Sequence, residues 1–131
     1  MTDIKQKKVI TTDLAPKALG PYSAGISAGN FVFTAGQLGL DPVAGELVSG
    51  GVEAETKQAL TNIKHILEAA DSGLDLVVKT TVFLQDMNDF SKMNAVYATF
   101  FTSEPPARST FQVAALPKGA KIEIEAVALK R

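Results

Sequence analysis

Cysteine is absent from the 131 residues, and histidine occurs once, at position 65. The first absence excludes disulfides, thiolate zinc sites and thiol nucleophiles. The second excludes a histidine-rich metal site within one chain, so no metal or other cofactor is expected. Charge of one sign is not concentrated anywhere: formal net charge is −1, and no like-charge run is longer than the Lys7-Lys8 pair. Nucleic acid and acidic membranes are gripped by clustered Lys and Arg, so neither is an expected partner. No apolar run approaches a membrane span, and the N-terminus has neither the apolar core of a secretion signal nor the arginines of a transit peptide. A cytoplasmic location is the expectation.

What is present suits one soluble globular domain spanning 1–131. Hydrophobic residues make up 46% and charged residues 21%, and a chain of this length buries about two-thirds of its unfolded surface. No linker, repeat or low-complexity tract divides it.

The pattern alternates between strand and helix periods. "KKVITT" is a β-rich start, and "YSAGISAGNFVFTAGQ" reads as two strands joined at Gly29-Asn30. Residues 37–51, rich in Gly, read as loop. From Val52 the apolar residues Ala59, Leu60, Ile63, Ile66, Leu67 and Ala70 recur at three- and four-residue steps, which predicts a helix of about five turns. Glu53 and Glu55 suit its N-terminal dipole, and "DSG" at 71–73 suits its end. His65 falls opposite the stripe, on a solvated side. "LVVKTTVFL" (76–84) reads as a central strand. A second helix carries the stripe Phe90, Met93, Tyr97, Phe100 and Phe101, and Pro105-Pro106 prevents its continuation. Strands at 107–114 and 121–129 follow, joined through Pro117-Lys118-Gly119. The order β-β-β-α-β-α-β-β predicts an α+β domain, a mixed sheet with two helices on one face. Apolar residues on both sides of 121–129 imply that the second face is covered by other subunits of a homo-oligomer.

One stretch raises a question of chemistry. In "PPARSTFQVAALPKGAKIEIEAVAL" (105–129) an arginine, Arg108, opens one strand, and Glu123 and Glu125 stand in the next. Alternation puts Ser109, Phe111 and Val113 on one side, expected to meet the helices, and Arg108, Thr110 and Gln112 on the other. A hairpin with Thr110 opposite Glu123 and Arg108 opposite Glu125 would bring arginine and carboxylates onto the second face. Such a group is either an ordinary cross-strand ion pair, worth up to ~1 kcal/mol, or an anion clamp. In the clamp, the planar guanidinium holds a carboxylate and a neighbouring glutamate acts as base or orients water.

"PARSTFQVAALPKGAKIEI" (106–124) resembles the signature of the RidA/YjgF/UK114 family of imine deaminases. The resemblance extends through "GPYSAGI" (20–26), "TAGQLGLDP" (34–42), "VKTTVFLQDMNDF" (78–90) and "MNAVYATFF" (93–101), and "GELVSGG" is similar to UK114-type members. It implies a chorismate-mutase-like fold (bacillus type) with a six-stranded mixed sheet, assembled as a homotrimeric barrel with three clefts between subunits. It implies hydrolysis of 2-imino acids, such as 2-iminobutanoate and 2-iminopropanoate, to 2-oxo acids and ammonia. By position Arg108 resembles the arginine that holds the substrate carboxylate, Glu123 the glutamate that activates water, and Tyr22 the tyrosine lining the cleft. Gly36 matches the point where backbone approaches the substrate, Asn94 a cleft-lining asparagine, and Thr110 a substrate-contacting position. Two departures stand out: Thr110 replaces a cysteine common in the family, and Ala35 replaces a serine often found before Gly36. The Thr110 position is expected to work through its backbone N–H, which any residue but proline supplies.

Two other functions compete with the deaminase. A binding protein for small carboxylates would use the same cleft, but an acid beside its arginine would weaken binding. A translation inhibitor that cuts RNA, a description the family also carries, fits poorly with near-neutral charge and no aromatic–basic platform.

Overall fold

The computed structural model describes residues 6–131. In chain order these form β1 (Lys7–Ile10), β2 (Gly25–Ala28), β3 (Phe31–Thr34), β4 (Gln37–Leu38), α1 (Gly51–Ala69), β5 (Val77–Leu84), α2 (Phe90–Phe100), β6 (Ala107–Gln112) and β7 (Ile122–Leu129). The α1 stripe buries Ala59, Leu60, Ile63, Ile66 and Leu67 as its spacing predicts. Full burial of each Leu or Ile contributes about 1.5–3 kcal/mol. The helix ends where Asp71 takes a left-handed φ of 59°. There the Ser72 N–H donates to the Leu67 carbonyl at 2.9 Å and the Asp71 N–H to the Glu68 carbonyl at 3.2 Å, which satisfies two otherwise orphaned acceptors. On α2, Met93 and Tyr97 are buried, as is Phe101 just past its end, and Phe90 and Phe100 pack beside them.

The sheet runs β1-β2-β3-β7-β5-β6, with β4 also paired to β7. The expectation of a loop over 37–51 and a six-stranded sheet is corrected: β4 at Gln37–Leu38 makes seven strands. It continues β3 along β7 after an irregularity. Phe33 pairs with Val127 and Gln37 with Ile124, so four residues on one strand match three on the other. The surplus is a bulge at Ala35-Gly36.

The expected β6–β7 hairpin does not form. β6 pairs in parallel with β5, Thr80 lying opposite Arg108 and Val82 opposite Thr110. β7 pairs antiparallel with β5 on its other side, so β5 separates the two. The cause is the connection through α2: a strand that returns after a helical crossover lies parallel to the one it left. β6 becomes an edge strand, and β7 is central.

This register decides the faces. Ile122, Ile124, Ala126 and Ala128 of β7 point to the helices, as do Thr80, Val82 and Leu84 of β5. The opposite face is open in the single chain. It carries Val9, Phe31, Phe33, Phe111 and Leu129 as exposed apolar residues, with Glu123 and Glu125 among them. Among the described residues no helix is long and apolar enough to cross a membrane.

Candidate active site

Glu123 lies near the start of β7, between Leu38 on β4 and Phe83 on β5. Its carboxylate rests on Gly36: a Cβ added there would lie 2.7 Å from the Glu123 carboxyl carbon. Any other residue would displace the acid, so the bulge that aims Gly36 at β7 also makes the seat for Glu123. Tyr22 lines the same recess, a space of about 210 Å³ that includes Gly36, Leu38, Lys118 and Glu123. Burial pushes the Glu123 carboxyl above its ordinary value, and the negative charge of Glu125 adds to the shift. No cation offsets it: among the described residues the one ion pair is Arg131 with Asp75.

The seat is fastened to α1. Asn62 Nδ2 donates to the carbonyls of Leu38 and Leu40 at 3.3 and 3.0 Å. Glu55, only 5% exposed, accepts the Lys121 N–H at 2.9 Å. Gly39 lies directly against it, because an added Cβ would be 2.6 Å from the Glu55 Cα. Glu55 therefore clips the start of β7 rather than serving the helix dipole from solvent. Its position was readable: Val52, Glu55, Thr56 and Ala59 follow the spacing of a buried stripe. His65 is likewise half-buried, its Nδ1 3.0 Å from the Leu14 carbonyl. A carbonyl only accepts, so Nδ1 carries the proton, and the contact tethers the segment that bears Tyr22.

Arg108 lies elsewhere. Sequence reading set Arg108, Thr110 and Gln112 on the open face beside Glu123; the alternation holds but the face is reversed. Opposite Thr80, Arg108 is on the helix side, with its guanidinium carbon 4.7 Å from the Tyr97 ring centroid and 5.5 Å from that of Phe90. Phe111, expected in the core, is 52% exposed on the open face and stacks on Phe83 at 6.4 Å. α2 meets this edge strand at Arg108, whereas Phe111 finds its apolar partner, Phe83, on the open face.

The arginine is seated on rings, and among the described residues no carboxylate occupies its fork. Tyr97 Oη is 2.7 Å from Thr80 Oγ1 in a buried hydrogen bond. Burial raises the Tyr97 phenol, with Thr80 and the Arg108 charge acting the other way. Asn94, Tyr97, Phe101, Pro105 and Pro106 surround Arg108 in an open depression of about 510 Å³. Thr110 lies one step further along the same side of β6, outside both recesses. The structure thus joins Glu123, Gly36 and Tyr22 in one group and Arg108 and Asn94 in another, on opposite faces of the sheet. Tyr97 and Phe90, read from the sequence as core residues only, belong to the second group.

Comparison with known proteins gives a consistent result. A family model described as Endoribonuclease L-PSP matches residues 12–130. A RutC family protein of Pyrococcus horikoshii is 56% identical over 124 residues, covering 95% of this chain and 98% of its own. The 2-iminobutanoate/2-iminopropanoate deaminase of Mus musculus is 52% identical, covering 95% of this chain and 92% of its own. The crystal structure of Escherichia coli TdcF with bound serine superposes with a TM-score of 0.91 at 42% identity, covering 95% of this chain and 99% of the other. The chain belongs to the family so described, the RidA/YjgF family that its sequence resembles.

Proposed function

We propose that this protein hydrolyses reactive 2-imino acids, 2-iminobutanoate and 2-iminopropanoate among them, to 2-oxo acids and ammonia. Glu123 carries the reading: a half-buried carboxylate with no cation of its own chain paired to it among the described residues, held against Gly36 and with its pKa raised. That is the environment of a general base. Glu123 takes a proton from water as the water oxygen bonds to C2. That proton passes to the imine nitrogen, giving a carbinolamine; Glu123 then relays the C2 hydroxyl proton to the nitrogen as the C2–N bond breaks, so ammonia leaves and C2 becomes a carbonyl. An imine is already electrophilic, so positioning and one acid–base group suffice. Arg108 holds the substrate carboxylate with its planar fork, and Tyr22, Asn94 and Thr110 line the bound substrate. The named activity of the mouse relative supports this assignment.

The reading includes a homotrimer. The two groups lie on opposite faces of one sheet, so a single site needs Glu123 of one subunit and Arg108 of another. The Glu123 recess alone, about 210 Å³, is smaller than the ~300 Å³ at which ligand pockets usually begin. The exposed Phe31, Phe33 and Phe111 supply apolar surface for the contact. A cytoplasmic location and a role in limiting metabolite damage belong to the same reading.

The test is a competition assay. A threonine dehydratase generates 2-iminobutanoate in the presence of semicarbazide. The protein should suppress semicarbazone formation, and its Arg108→Ala variant should not. Equal semicarbazone with and without the wild type would end the assignment.

A further inference from the structure

The Glu123 recess has a floor and a rim of different chemistry. Gln37, Leu38 and Leu40 at its base are buried, whereas Lys17, Leu19 and Lys118 at its edge are exposed. Among the described residues neither lysine is in an ion pair, so the recess ends in two exposed, unpaired cationic side chains.

Both lysines are fixed by their backbones. Lys118 has φ 59°, one of three non-glycine residues with positive φ among those described. It sits in a turn closed by the Ala120 N–H on the Pro117 carbonyl at 3.1 Å. A lysine there is sterically disfavoured where glycine would be free, and such strain concentrates at functional positions. Lys17 is presented by a segment anchored on both sides. Ala15 is packed in the core, His65 holds the Leu14 carbonyl at 3.0 Å, and the Leu19 N–H donates to Tyr22 Oη at 3.3 Å.

We infer that this recess receives the substrate side chain, and that Lys17 and Lys118 select 2-imino acids carrying a second, distal carboxylate on a short apolar stem. The inference rests on the proposed function. With the first carboxylate on Arg108 and C2 beside Glu123, the side chain is left with an apolar floor and a cationic rim. 2-Iminoglutarate has that form: two methylenes, then an anion. The reaction is unchanged, water in and ammonia out.

The experiment compares 2-iminoglutarate, released by an L-glutamate oxidase, with 2-iminobutanoate. The wild type should hydrolyse both. Lys118→Gly suits the positive φ and keeps the turn, so the variant folds. It should lower kcat/KM for 2-iminoglutarate about five-fold, and Lys17→Ala with Lys118→Gly about ten-fold or more, as exposed ion pairs allow. The value for 2-iminobutanoate should move less than about two-fold. Binding of 2-oxoglutarate should weaken in parallel and with added salt. Hydrolysis of 2-iminobutanoate without 2-iminoglutarate, or an equal loss on both substrates, would overturn the inference alone. No hydrolysis of 2-iminobutanoate by the wild type would overturn it together with the deaminase reading.

Discussion

Arg108 and Glu123 stand on opposite faces of one sheet, Arg108 level with Thr80 on the helix side and Glu123 level with Phe83 on the open side. β5 separates their strands. No change of rotamer brings the guanidinium of one subunit to its own carboxylate. If the two act on one substrate, they act across a subunit boundary.

The seat of Arg108 predicts a split between binding and turnover. Tyr97→Leu removes the ring beneath the guanidinium, a cation–π contact worth about 0.5–2 kcal/mol. KM for 2-iminobutanoate should rise roughly 2–30-fold with kcat changing little. Tyr97→Phe keeps the ring and should leave KM near wild type. It strands Thr80 Oγ1 and should cost about 1 kcal/mol of stability. Steady-state kinetics and denaturant melts check both. Equal KM for the Leu and Phe variants would show that the ring does not orient the arginine.

Gly36→Ala places a methyl where the Glu123 carboxyl group lies. The acid must turn away, so kcat should fall by about ten-fold or more, as small displacements of reacting groups do. The backbone there does not demand glycine, and circular dichroism should stay native. A variant with wild-type kcat would mean that Glu123 works from another rotamer.

Glu123 titrates against stability. Its folded pKa lies above its unfolded value near 4.5, so the folded chain binds the proton more tightly. Stability is therefore greatest below the unfolded value and falls as pH rises through the folded one. Glu123→Gln removes that cost above the window. The variant should lose activity yet melt higher than the wild type at pH 7, with the gain vanishing towards pH 4. Wild-type kcat/KM should rise with pH through the raised value. A gain in Tm that persisted at pH 4 would assign it to packing instead.

Much of the fold was legible because burial repeats at a fixed period. The stripes of α1 and α2 and the alternation of β7 each match the buried residues. β4 was not legible: two residues after a bulge have no period. The face of β6 was not legible: a phenylalanine ordinarily marks the core side, but here the open face is itself apolar and Phe111 stacks on Phe83 there. Arg108 lies on the helix side because Tyr97 and Phe90 offer it rings, a contact between segments far apart in the chain that no local pattern encodes. Glu123 stood out as a carboxylate in a strand, Gly36 and Tyr22 only by resemblance, and what joins them is the bulge at Ala35-Gly36.

The shared site is tested most directly by mixing two inactive variants. Arg108→Ala and Glu123→Ala are each unfolded, combined in equal amounts and refolded together. If each site takes Arg108 from one subunit and Glu123 from another, roughly a quarter of the sites in a random mixture hold both residues and regain activity. The account predicts that recovery on 2-iminobutanoate, with no activity from either variant refolded alone. A mixture of intact oligomers that stays inactive would contradict it.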